Sequence, residues 1–157
     1  MQIELIVVGK TDSKEVASLV EIYAKRINHS CKFAVTTLPD LRNTKSLSSR
    51  QQNKSEGERI LALIGEGDYV VLLDEHGTEY RSMEFAEWVG KRMASGIKRL
   101  VFVIGGPYGF SEEVYQRANH KISLSRMTFS HQIVRAIFAE QLYRAFSILN
   151  NEPYHHE

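Results

Sequence analysis

Short apolar runs alternate along this chain with stretches in which apolar residues recur every three or four positions. Gln2–Gly9 alternates and then turns wholly apolar, which predicts a strand. Ser13–His29 carries Val16, Leu19, Val20, Tyr23 and Ile27 at helical spacing, with Asp12 and Glu15 placed to form a capping box. Lys32–Leu38 reads as a second strand stopped by Pro39, and the polar residues 40–48 read as a loop. Ser49–Ile64 predicts a helix with Ile60, Leu61 and Ile64 inward and Gly65 as its stop. Tyr69–Leu73 is a continuous apolar run between Gly67-Asp68 and Asp74, the pattern of a strand covered on both faces. Ser82–Ala94 predicts a helix capped by Ser82, with Phe85, Val89 and Met93 on one side. Arg99–Ile104 is another central strand, and Ser111–Ala118 is a short helix whose Glu112 and Glu113 suit its first turn. His120–Leu124 is the last strand and Ser130–Asn150 the longest helix.

Alternation of strand and helix argues for an α/β fold, a mostly parallel sheet sandwiched by helices. At 157 residues the whole chain, 1–157, is expected to be a single domain. In such sheets ligands sit beyond the carboxyl ends of the strands. Leu73-Asp74, Gly105-Gly106 and Leu124–Phe129 are all expected at that edge. Gly105-Gly106-Pro107-Tyr108-Gly109 puts three glycines in five residues after an apolar strand, more than a tight turn needs. A backbone-lined loop of this kind lets main-chain groups approach a ligand closely. In Leu124-Ser125-Arg126-Met127-Thr128-Phe129 the Met and Phe could stack on a flat ring while the main chain bonds its edge.

Two familiar alternatives fail on spacing. Gly9-Lys10-Thr11 resembles the end of a phosphate-cradling loop, but the required glycine five residues earlier is Glu4. The loop at Gly105 lacks the spaced glycines of a dinucleotide-binding turn. Neither paired carboxylates nor metal-spaced His/Cys clusters are evident, so no metal is expected. His131 could exchange protons or start a helix, and a lone histidine at such a place is more often structural.

Composition narrows the setting. A single cysteine, Cys31, cannot form an internal disulfide, and a reducing compartment is expected. The opening Met1-Gln2-Ile3-Glu4-Leu5 carries an acid and no basic leader, and no run reaches the ~18 apolar residues of a membrane span. The expectation is a soluble cytoplasmic protein. Net charge is only +1, yet Arg42, Lys45, Arg50 and Lys54 stand in one acid-free stretch, and Arg117, Lys121, Arg126 and Arg135 in another. Local basic patches on a neutral protein fit a polyanion bound at one place. The last helix has Ile133, Val134, Ile137, Phe138, Leu142, Phe146 and Leu149 on one stripe, with Glu140 four residues before Arg144. Its other sides carry Gln132, Arg135, Gln141 and Tyr143, which points to a second packed surface such as a two-fold interface.

Several segments taken together resemble one family. They are Met1–Lys10, Glu56-Gly57-Glu58-Arg59-Ile60-Leu61, Leu72-Leu73-Asp74 with Gly77, and Phe102–Gly109. Leu124–Phe129, His131-Gln132, Glu140–Ala145 and Pro153-Tyr154-His155 complete the set. The chain resembles the SPOUT-class methyltransferases over essentially its whole length, specifically the bacterial RlmH (YbeA-like) 23S rRNA pseudouridine methyltransferases. The resemblance implies a homodimer, a carboxyl-terminal deep trefoil knot, and S-adenosylmethionine bound in a bent shape. It implies that Leu73, Gly105, Gly106, Leu124, Ser125, Arg126, Met127, Thr128 and Phe129 hold the cofactor. The target it implies is N3 of a pseudouridine in 23S rRNA on the assembled ribosome. Arg135, Arg144, Tyr154 and His155 are then the candidates for taking the N3 proton or stabilising the anion it leaves. A SPOUT methyltransferase acting on tRNA and a non-enzymatic ribosome-assembly factor remain open alternatives. The segment 40–54 matches no pattern of the family, and Ser130 stands where relatives often carry Pro.

Overall fold

Five parallel strands lie in the order β2-β1-β4-β3-β5 in the computed structural model, which describes residues 1–42 and 44–157. The elements are β1 (Gln2–Val8), α1 (Lys14–Ile27), β2 (Lys32–Leu38), α2 (Ser49–Leu61), β3 (Tyr69–Glu79), α3 (Ser82–Ala94), β4 (Arg99–Ile104), α4 (Glu112–Arg117), β5 (His120–Ser123) and α5 (Ile133–Leu149). A short 3₁₀ turn, Thr44–Ser46, lies in the connection expected to be a loop.

The central strands are apolar on both sides because helices cover both sides. Ile3, Leu5, Val7, Leu100, Phe102 and Ile104 face one way, against Ile27 of α1, Phe85 and Val89 of α3 and Phe138 and Leu142 of α5. Ile6, Val8, Val101 and Val103 face the other way, against Ile60 of α2 and Val114 of α4. Glu4 is the one charged residue buried in β1, and Arg99 and Thr36 satisfy it. Every connection thus returns the chain to a parallel strand, and all the carboxyl ends meet on one edge.

Several local expectations need correction. Ser13, not Asp12, caps α1, its hydroxyl accepting from the Val16 N–H at 3.3 Å. Arg81, not Ser82, is the N-cap of α3, and the Glu84 carboxylate accepts the Arg81 N–H at 2.7 Å. Met93 is exposed rather than inward. β3 runs on to Glu79 because, past a bulge, Thr78 and Glu79 pair again with Ile122 and Ser123 of β5. Gly77 makes this possible: a Cβ there would lie 2.7 Å from the Ile122 and Lys121 main chain. The helix expected from Ser130 begins at Ile133, with the Ser130 hydroxyl accepting the Ile133 N–H at 3.1 Å.

Candidate functional site

The carboxyl ends of β3, β4 and β5 open into a cleft of about 660 Å³. Its walls are Leu73–His76 from β3, Ile104–Phe110 after β4 and Ser123–His131 after β5 (Arg126 excepted), with Val134 at the start of α5 and Tyr115 on α4. The expected cofactor residues Leu73, Gly105, Gly106, Leu124, Ser125, Met127, Thr128 and Phe129 are therefore brought together at one place. Arg126 belongs to the same loop but points outward, within 3.6 Å of Glu79.

Local hydrogen bonds shape each wall. The Ser123 hydroxyl donates to the Ser125 carbonyl at 2.9 Å, and the Ser125 hydroxyl accepts the Met127 N–H at 2.9 Å. These bonds fold residues 123–127 into a tight turn and leave Met127 exposed at the rim. Gly109 sits at φ +77°, a conformation glycine takes without strain, and its N–H closes the loop onto the Gly106 carbonyl at 3.2 Å. Behind the loop stands α2. The Glu56 carboxylate accepts the Gly106 N–H at 3.1 Å, and the Asn53 amide donates to the Tyr108 carbonyl at 2.8 Å. At the rim, the Tyr115 hydroxyl donates to Asp74. Burial raises the Tyr115 phenol above its ordinary value, and Asp74 adds to the shift.

Sequence reasoning missed Asn53 and Glu56 as site residues. Asn53, Glu56, Gly57 and Ile60 are spaced i, i+3, i+4 and i+7, which marks one inward stripe of α2 and was the available signal.

The four catalytic candidates separate into two places. Arg135 is 1% exposed and does not face the cleft. Its guanidinium donates to the carbonyls of Val8 (2.7 Å), Gly9 (2.8 Å) and His131 (3.0 Å) and to the Thr11 hydroxyl (2.9 Å). Four of the five donors in its rigid fork are spent on holding two loops together. Gln132 reinforces the tie, accepting the Asp12 N–H at 2.9 Å and donating to the Lys10 carbonyl at 3.0 Å.

Arg144, Tyr154 and His155 do assemble, but elsewhere. The tail after Pro153 lies along α5. Arg144 Nε donates to Glu140 Oε1 at 3.1 Å, and the Tyr154 hydroxyl donates to the same oxygen at 3.0 Å. The Arg144 guanidinium covers the Tyr154 ring at 4.7 Å and lies 3.1 Å from His155 Nδ1. Burial, then bonds from Tyr23 and Glu140, push the Tyr154 phenol well above its ordinary range, so it stays protonated here. Arg144 is ten residues beyond Val134 on α5, about 15 Å along a helix rising 1.5 Å per residue. The cluster is therefore remote from the cleft of its own chain. Among the described residues, no group of three or more His, Cys, Asp or Glu converges as metal ligands.

A cleft at the carboxyl ends of three parallel strands is the place where α/β proteins take small ligands. A family model described as "Predicted SPOUT methyltransferase" matches residues 1–155, and the chain belongs to that methyltransferase family. It is 59% identical over 156 residues to the ribosomal RNA large subunit methyltransferase H of Christiangramia forsetii, covering 99% of both chains. Proteins of the same name from Parabacteroides distasonis and Phocaeicola vulgatus are each 55% identical over 157 residues, covering all of both chains.

Proposed function

We propose that this chain transfers a methyl group from S-adenosylmethionine to N3 of a pseudouridine in 23S rRNA on the assembled ribosome, acting as a homodimer with a threaded, knotted carboxyl-terminal segment. The observation that carries this reading is the cleft itself, joined to full-length similarity to rRNA methyltransferases. Its volume is in the range of small-molecule sites. The residues present fit the cofactor: Gly105, Gly106 and Gly109 keep one wall sparse in side chains between Pro107, Tyr108 and Phe110, and 124–129 offers main-chain groups beside Phe129 and Met127. When bound there, the cofactor supplies an electrophilic methyl group.

The chain's own residues do the rest. Leu73, Gly105 and Leu124–Phe129 orient the donor, so most of the acceleration comes from placement. Methyl transfer to N3 also requires that the N3 proton leave. His155 takes it, since histidine is the side chain that exchanges protons near neutral pH. The Arg144 guanidinium stabilises the negative charge left on the base. Tyr154, kept protonated by burial and by its bond to Glu140, lies against the Arg144 guanidinium and helps to place it. These groups are supplied by the second copy, because within one chain about 15 Å of α5 separates them from the cleft. Leu19 and Ile22 of α1 and Leu149 of α5 are large apolar residues left exposed, which suits an interface between copies. The knot accounts for the way residues 124–132 return from β5 to the β1–α1 loop.

Two basic stretches on a chain of net charge +1 give little indiscriminate affinity. The partner is accordingly a folded assembly read by shape. Mixing Gly106→Val protomers with protomers lacking 153–157 tests the arrangement. Two inactive parents whose mixture recovers roughly a quarter of wild-type methylation, as statistical mixing in a two-fold dimer gives, support it. A mixture as inactive as its parents refutes the shared site, and equal rates on free stem-loop and ribosome refute the assembled substrate.

A further inference from the structure

Helix α2 touches the glycine loop at points that nothing in the proposed chemistry uses. Its inward stripe meets the loop in order: Asn53 at Tyr108, Glu56 at Gly106, Gly57 at Ser111, Ile60 in the core beneath. The approach is close throughout. A Cβ on Gly57 would lie 2.3 Å from the Ser111 hydroxyl, and a Cβ on Gly106 would lie 2.9 Å from the Glu56 carboxylate. Glycine on each side of the contact is what lets the helix and loop meet. One side chain thus accepts a loop N–H while another donates to a loop carbonyl, one helical turn apart. Two bonds of opposite polarity fix both the position and the tilt of the peptide planes between Gly106 and Tyr108.

We propose that Glu56 and Asn53 are positioning residues for the methyl donor, holding the Gly105–Gly109 loop in the one conformation that leaves the cleft open. The inference rests on the cofactor assignment above. Neither residue touches the donor; each acts through the loop. Glu56 is half-buried and feels Arg59 on its own helix, Asp40 from the β2–α2 connection, and His131 of the cleft wall. Burial, with Asp40 adding to it, raises the Glu56 pKa above the ordinary glutamate value of 4.5, while the Gly106 N–H, Arg59 and His131 pull it down.

The test reads loop and donor separately. In wild-type protein the Gly106 amide resonance is expected to follow a carboxyl titration centred above 4.5, and that titration is expected to vanish in Glu56→Gln. By calorimetry, Glu56→Ala is expected to weaken S-adenosylmethionine binding about tenfold, the loss of one charge-assisted hydrogen bond. Glu56→Gln, which can still accept the N–H, is expected to stay within about threefold of wild type, and Asn53→Ala to fall between the two. The cofactor KM rises in step while kcat at saturation holds. Unchanged affinity in folded Glu56→Ala overturns the proposal, as does a Gln variant as weak as the Ala variant. If Glu56→Ala does not fold, Asn53→Ala and the Gln variant decide. Failure of the wild type to bind the donor, with the Gly106 titration intact, sinks the cofactor assignment instead.

Discussion

Replacing Arg135 by Met removes a buried cation that ties the end of β1 to the start of α5. The shape is roughly kept, and every donor is lost. Three backbone carbonyls (Val8, Gly9 and His131) lose their partner, and so does the Thr11 hydroxyl. An unsatisfied buried acceptor costs about 1–3 kcal/mol. Offsetting this, the guanidinium is itself expensive to bury: no carboxylate bonds it directly, and burial lowers its pKa despite the pull of Asp12 and Asp40. Taking about 1 kcal/mol for each carbonyl gives a net loss of about 3 kcal/mol. For a domain of this size that is a fall in Tm of about 6–12 °C. Calorimetric melting reads it directly. The loss has a functional side, because the His131 carbonyl anchors the far end of the loop that begins at Leu124. Weakened S-adenosylmethionine binding at a temperature where the variant is fully folded is therefore expected. Arg135→Lys, whose donors all sit on one nitrogen and cannot span the fork, should fall between. A Met variant that melts within about 2 °C of wild type and binds the donor normally would show that the tie carries no weight.

Other consequences follow from the same contacts. Gly77→Ala should lower Tm, since its Cβ meets the β5 main chain at 2.7 Å and strands cannot yield as side-chain tips do; an unchanged melt would contradict the register. Deleting 153–157 should abolish methylation in single-turnover assays yet leave donor affinity intact, and undiminished turnover would remove Tyr154 and His155 from the chemistry. Glu56→Gln should gain stability relative to wild type as pH rises above 4.5, because a carboxyl whose folded pKa is raised costs the native state once it ionises. Melting both proteins from acid to neutral pH checks this, and a Gln variant losing ground with rising pH would reverse the sign. Arg50→Glu with Lys54→Glu should weaken ribosome binding at low salt and converge on wild type at high salt. Equal binding at every salt concentration would move the RNA surface elsewhere.

What was legible in the chain follows from what burial imposes on sequence. β4 is six residues without a polar interruption after Arg99, and it is buried on both sides, so its limits could be read directly. Three glycines in five residues likewise exposed the β4 loop. The second half of β3 was invisible: Asp74–Glu79 is polar, and it is a strand only because β5 returns to pair with it past the bulge. The docked tail was equally hidden. Tyr154 and His155 have no periodic relation to α5, and their bonds to Glu140 and Arg144 exist only in three dimensions. Arg135 shows the converse: an arginine beside a functional loop reads as a reagent, and only its burial shows that its donors are already committed.

The claim on which the account turns is that main chain at the tips of β3, β4 and β5 grips the methyl donor. A crystal structure of the protein grown with S-adenosylmethionine addresses it directly. The donor is expected bent within the cleft, bonded to the main chain of Leu73, Gly105 and residues 124–129, with the tail of the second protomer beside its methyl group. Donor bound away from those tips, or a cleft closed by the protein's own side chains at saturating donor, would contradict it.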